Sequence, residues 1–149
     1  MAEYLYNEVQ SVALGSPLLF EDSIPCGKKI IYHENGQGIF ILRGITSNCF
    51  ATYQVTYNGN IAIPEGGTAG PIAVAITVNG EPRPTSRAIY VPAAVDTYGN
   101  VTSTAIIKVP RGCCFSLSVD SVPATTDPTA TPAPVISVQN SNLVINRIA

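Results

Sequence analysis

Tryptophan is absent from this chain, and histidine and methionine occur once each. Lys, Arg, Asp and Glu together make up only 12% of the 149 residues. Each shortage excludes something. One histidine, His33, cannot build the several-imidazole centre of a cupin-like metalloenzyme. A Ser/His/acid triad would have to use that same residue, and no G-x-S-x-G elbow accompanies it. His33 stands beside Glu34 at a predicted turn and is read as a solvated turn residue. The charged share is about half that of ordinary soluble domains. A small monomer stays dispersed through surface charge. A chain this short of it, and rich in Val, Ile, Thr and Ser, is expected to cover much of its surface with copies of itself. The net charge of −2 leaves no basic face for nucleic acid. The one basic pair, Lys28-Lys29, suits an edge strand or a turn.

Other absences narrow the field further. No apolar run reaches the roughly twenty residues of a membrane-spanning helix, so no membrane insertion is expected. The first twenty residues carry acidic groups where an export signal needs basic ones, so synthesis in a cytoplasm is expected. There is no C-x-x-C pair for zinc, no Lys-Ser/Thr after Gly66-Gly67 for phosphate, and no D-x-[DN]-x-[DN]-G loop for calcium. Asp96, Asn100 and Asp120 remain as loop oxygens that a calcium ion could use. The acidic residues are scattered, and no spacing pairs two of them for glycoside cleavage. No motif implies a cofactor, and nothing indicates an enzyme. The four cysteines, Cys26, Cys49, Cys113 and Cys114, are read either as small buried hydrophobes or, for Cys26 and Cys49, as a bridge in an oxidising setting.

What is present is a strand pattern. Residues 72–80 read IAVAITVNG, with Ile72, Val74, Ile76 and Val78 alternating with Ala73, Ala75 and Thr77. A period of two puts one row of side chains into a core. The other row is small and still apolar, so it is expected to meet protein as well. Asn79-Gly80 closes the strand with the residue pair that a type I′ hairpin needs. Residues 50–57 alternate in the same way, with Ala51, Tyr53, Val55 and Tyr57 on the buried face. Asn58-Gly59-Asn60 is expected to interrupt that strand, with 61–63 continuing beyond.

Further strands are expected at 12–20 with a kink at Gly15, at 28–33 and 38–42 around Asn35-Gly36, at 87–91, at 101–109, at 113–119, and in two pieces at 135–138 and 143–148. Residues 21–27, 64–71 and the Pro/Thr/Ala-rich 122–134 are predicted loops. No ten-residue stretch has helical periodicity. About eight to ten strands with regular turn signals give an all-β fold, an antiparallel two-sheet sandwich of the jelly-roll kind. Residues 1–48 are read as an N-terminal arm and first strands of this same fold, and 49–149 as the jelly-roll core. Tyr4, Tyr6, Tyr90 and Tyr98 are edge-strand filler, or sugar-stacking rings if exposed.

The string YQVTY, PIAVAITVNGEP, AIYVPAA, NVTSTAIIKVPRGCCFSLSV and ISVQNSNLVINRIA resembles the trimeric jelly roll of the tumour-necrosis-factor and complement-globular-head type. The resemblance covers residues 50–149. It is strongest to the versions found on bacterial collagen-like spore filaments and on phage. It implies a homotrimer packed around the inner sheets, with Tyr53, Phe115, Leu117, Leu143 and Ile145 as interface candidates. It also implies a structural assembly role on a virion, as a head decoration, fibre tip or tail appendage, beside other virion or coat proteins. The alternative is a bacterial surface or spore-coat head that binds a host glycan or protein. The Gly-X-Y stalk of the filament proteins is missing, so the first fifty residues are expected to dock on a particle.

Overall fold

A computed structural model describes residues 1–24 and 30–149. In chain order its strands are β1 (Ala2–Tyr6), β2 (Gln10–Ala13), β3 (Glu21–Ile24), β4 (Ile31–His33), β5 (Phe40–Arg43) and β6 (Phe50–Ala62). They continue with β7 (Ile72–Val78), β8 (Glu81–Pro82), β9 (Ala88–Tyr90), β10 (Gly99–Pro110), β11 (Cys114–Val122) and β12 (Val135–Arg147). One 3-10 turn, Pro84–Ser86, sits between β8 and β9. The strands form two antiparallel six-stranded sheets. The first runs β10-β6-β12-β1-β3, with β2 also paired to β12; the second runs β4-β5-β11-β7-β8, with β9 also paired to β7. The fold is the antiparallel two-sheet sandwich that the alternation predicted.

The core lies between the sheets. Tyr53, Val55 and Tyr57 of β6, Leu143 and Ile145 of β12, and Ile107 of β10 face Phe40, Leu42, Val74, Ile76, Leu117 and Val119 of the second sheet. All of these side chains are essentially inaccessible. β7 is buried on both faces, with Ala73 and Ala75 joining Val122 in a small cluster outside the main core. That matches the small, apolar second row seen in its sequence. Asn79 and Gly80 take φ of 52° and 82°, and join β7 to β8 in the expected tight hairpin.

Several boundaries differ from expectation, each for a physical reason. Asn58-Gly59-Asn60 does not interrupt β6. Gly59 faces inward, where any Cβ would overlap the Tyr57 hydroxyl, so glycine is a packing choice there and not a break. The irregularity lies on the partner strand, between Gln139 and Asn142, where Asn140 takes φ 53°. The two C-terminal pieces are thus one kinked strand. Residues 12–20 do not form one strand either. Gly15, with φ 82°, turns the chain from β2 in the first sheet to the edge of β11 in the second, where the Leu18 amide donates to the Val119 carbonyl at 2.8 Å. Residues 21–24, expected as loop, pair with β1. Cys113 lies in the turn before β11 and not in the strand.

All five strands before β6 pair within the two sheets, and β1 is an internal strand of the first sheet, between β12 and β3, not a free arm. The turns at one end of the sandwich meet at Gly44. Its amide donates to the Cys113 carbonyl at 2.8 Å, and its carbonyl accepts from the Gly112 amide at 3.0 Å. A Cβ on Gly44 would overlap the Pro110 carbonyl oxygen, which is backbone and cannot swing aside. Gly44→Ala is expected to cost about 1–3 kcal/mol or more, read as a lower urea midpoint with an unchanged slope.

Candidate functional site

His33 is the residue that could carry chemistry, and its surroundings decide against it. It ends β4 and is 3% exposed, because pairing with Phe40 and alternation with Ile31 turn it inward. The solvated turn reading is therefore corrected: the strand ends at His33, where the expected 28–33 span ended it, but its last side chain points into the core and not into solvent. The ring stacks on Phe40 with centroids 4.2 Å apart, and Tyr4 meets it edge-on at 5.0 Å. Nδ1 lies 2.6 Å from Asp22 Oδ1, and Nε2 lies 2.8 Å from the Gln37 carbonyl. In a triad the second nitrogen faces a nucleophile. Here a backbone oxygen occupies that place. Asp22 belongs to the first sheet and His33 to the second, so the pair clasps the sandwich along one edge. Asp22→Ala is expected to leave a buried ring nitrogen without its partner, at a cost of about 1–3 kcal/mol. Chemical denaturation of that variant measures it; a change within error would mean the clasp contributes nothing.

The outward face of the first sheet has a different character. Register aligns four rows across β10, β6, β12 and β1: Lys108–Thr52, Ile106–Gln54–Asn146, Thr104–Thr56–Val144–Glu3 and Thr102–Asn58–Asn142–Leu5. Of these residues only Glu3 and Lys108 carry charge. Many of the polar groups bond sideways within the sheet. The Thr56 and Thr104 hydroxyls lie 3.2 Å apart, Thr102 Oγ1 donates to Asn58 Oδ1 at 3.0 Å, and Asn100 Nδ2 donates to the same oxygen at 2.9 Å. The part of the face whose polar groups already have partners can be covered by protein without stranding them. Phe50, Ile106 and Ile148 are about half exposed at one end of it.

Three solved structures are similar to this chain over nearly its whole length. The globular domain of zebrafish complement 1qA protein aligns with a TM-score of 0.58 and 12% identity, over 97% of this chain and 96% of that one. Murine APRIL at pH 5.0 aligns at 0.57 and 11%, covering 95% of each chain. Eiger TNF from S. frugiperda aligns at 0.55 and 11%, over 100% of this chain and 92% of that one. The fold is the complement-head and tumour-necrosis-factor jelly roll. No protein-family model and no curated protein matches the sequence.

Within that jelly roll, four of the five interface candidates lie in the interior of a single chain. Tyr53, Leu117, Leu143 and Ile145 are at most 1% exposed, and Phe115 is partly buried against the same core. Side chains enclosed by their own two sheets have no surface left for a neighbour. Tyr53 is instead an internal tie: its hydroxyl donates to the Arg43 carbonyl at 2.6 Å, and the Arg147 guanidinium lies 5.6 Å from its ring centre. Burial raises the Tyr53 phenol, with Arg147 pulling it back. Burial likewise pushes the Tyr57 phenol up to about 12, with the hydrogen bond shared with Ser141 pulling the other way. Neither is poised for proton transfer. The residues that could meet another copy are their strand neighbours Thr52, Gln54, Thr56, Val144 and Asn146. The alternation around Tyr53 was the signal for them, read from its other side.

The remaining sequence candidates separate in space. Asn100 projects from the outer face of the first sheet and Asp120 from that of the second, so they cannot share a calcium ion with Asp96. Burial raises the Asp120 carboxyl, while Ser118 and Thr77 pull it down. Among the described residues no group of three or more His, Cys, Asp and Glu side chains is placed to hold a metal. Tyr4 is buried, and the Tyr90 ring lies over Gly99, so neither is an open stacking platform. Cys26 and the Lys28-Lys29 pair lie outside the described residues; Cys49, Cys113 and Cys114 are exposed free thiols, not buried fillers. A groove of about 680 Å³ runs between loop 64–71 and residues 131–135, lined by Ile63, Pro64, Pro71, Pro132 and Ala133 among others.

Proposed function

We propose that this chain is a non-enzymatic structural assembly protein whose jelly rolls join as a homotrimer through the outward face of the first sheet. We further propose that the trimer is carried on a phage virion, as a head decoration, fibre tip or tail appendage, made in the host cytoplasm. The observation that carries the trimer is that face: three long strands and the short β1, two charges in the aligned rows, and a Thr/Asn cluster whose polar groups bond each other. With so little charge, such a face does little to repel other copies. Covered by a neighbour, it loses apolar area to protein at little electrostatic cost. The low overall charge and the resemblance to phage heads support the virion setting.

Light scattering of the purified chain under reducing conditions tests the assembly. A mass of three chains is expected, and a mass of one chain at micromolar concentration overturns it. Mass spectrometry of purified particles tests the setting; its absence from every particle fraction would remove the virion role. The alternative, a bacterial surface or spore-coat head that binds a glycan or protein, is favoured by one feature, the Pro- and Gly-walled groove between 64–71 and 131–135. A glycan array probed with the isolated trimer separates the two.

A further inference from the structure

Free cysteine is ordinarily among the most buried of residues. All three cysteines among the described residues break that rule. They also share one end of the sandwich. Cys49 immediately precedes β6, and its carbonyl accepts from the Arg111 amide at 2.9 Å. Cys113 closes the β10–β11 turn, its amide donating to the Pro110 carbonyl at 3.0 Å and its carbonyl accepting from Gly44. Cys114 follows as the first residue of β11, paired with Arg43. Backbone hydrogen bonds thus mount three thiols on a stiff platform, and none is bonded to another within the chain. Beside them Ile45, Phe50 and Ile148 are also exposed, so this end is apolar as well as thiol-bearing. It is continuous with the face of the first sheet, because Phe50 opens β6 and the Ile148 amide bonds to Thr52.

We infer that this end is a covalent lock, in which thiols of one copy form disulfides with thiols of a second copy after the chain meets a disulfide oxidant. The inference rests on the assembly reading only in needing a second copy. A closed ring requires two different linking groups on each subunit, and three thiols per chain supply them. The chemistry is thiol–disulfide exchange. A cysteine thiolate attacks one sulfur of glutathione disulfide and expels one glutathione. A thiolate of the second chain then attacks the cysteine sulfur of that mixed disulfide and expels the other. Two protein thiols are oxidised to one disulfide, and one glutathione disulfide is reduced to two glutathione molecules. Under reducing conditions the copies associate without the link; under oxidising ones they are fastened.

The test uses the full chain, treated with oxidised glutathione and run on a denaturing gel without reductant, beside intact-mass measurement. Bands of two and three chains are expected, each link lighter by two hydrogens and all reverting with dithiothreitol. The triple variant C49S/C113S/C114S is expected to stay at one chain, and C26S to cross-link as the parent does. The inference is overturned if the parent stays at one-chain mass, forms only an intrachain disulfide, or if the triple variant still cross-links. Native mass with reductant present is recorded separately. Three chains there without oxidative bands would sink the lock and leave the assembly standing; one chain there would sink the assembly whatever the gel shows.

Discussion

Thr56→Arg is expected to convert the proposed trimer into single chains while leaving each chain folded. Thr56 sits near the middle of the outward face, between Thr104 on one side and Val144 on the other. Within one chain its side chain bonds only the Thr104 hydroxyl, so the fold should lose about 0.5–1.5 kcal/mol. In a trimer the same change buries an unpartnered guanidinium at every interface. An uncompensated buried charge costs about 3–5 kcal/mol, which weakens each contact by roughly two to three powers of ten. Light scattering should therefore fall from three chains to one, with the circular dichroism spectrum unchanged. Ile89→Arg is the control, since Ile89 is exposed on the second sheet and outside the proposed contact. Dissociation by Ile89→Arg with an intact Thr56→Arg trimer would move the interface to the other sheet.

Phe40→Ala should have the largest effect on the fold itself. Phe40 is fully buried and is the ring around which one half of the core is organised. Tyr4 packs edge-on against it at 4.6 Å, Phe20 lies tilted at 5.8 Å, and His33 stacks on it at 4.2 Å. These contacts come from both sheets and from the segment that crosses between them. Removing the ring opens a cavity that stiff strands cannot collapse, and takes the stacking surface from His33. A loss of about 3–5 kcal/mol is expected, a large part of the roughly 5–15 kcal/mol that holds a domain of this size. Urea denaturation of a reduced, dilute sample measures it apart from assembly. A cost under about 1 kcal/mol would mean the core refills around the gap.

The sequence read well wherever a strand shows water on one side. β6 and β10 alternate strictly, and the buried face assigned to Ala51, Tyr53, Val55 and Tyr57 is the one that packs. The same logic failed where a residue's role depends on what lies across the sandwich. His33 looked like a turn residue because Asp22, eleven positions earlier, and Phe40, seven later, become its neighbours only when the sheets stack. The interface candidates were large apolar residues, and those go to the nearest core. The surface left for another copy is made of Thr, Asn and Gln, which read locally as ordinary solvent-facing filler.

The alternation, the turn pairs and the lack of charge were enough by themselves to determine an antiparallel sandwich and a surface poor in repulsion, because both follow from side-chain period and composition, which are local. Only the tertiary structure decided that β1 is internal, that β12 and not β6 carries the kink, that His33 clasps the two sheets, and that three thiols gather at one end. Each of these depends on register between segments distant in sequence. Register is set by the fit of two whole sheets, not by any one strand.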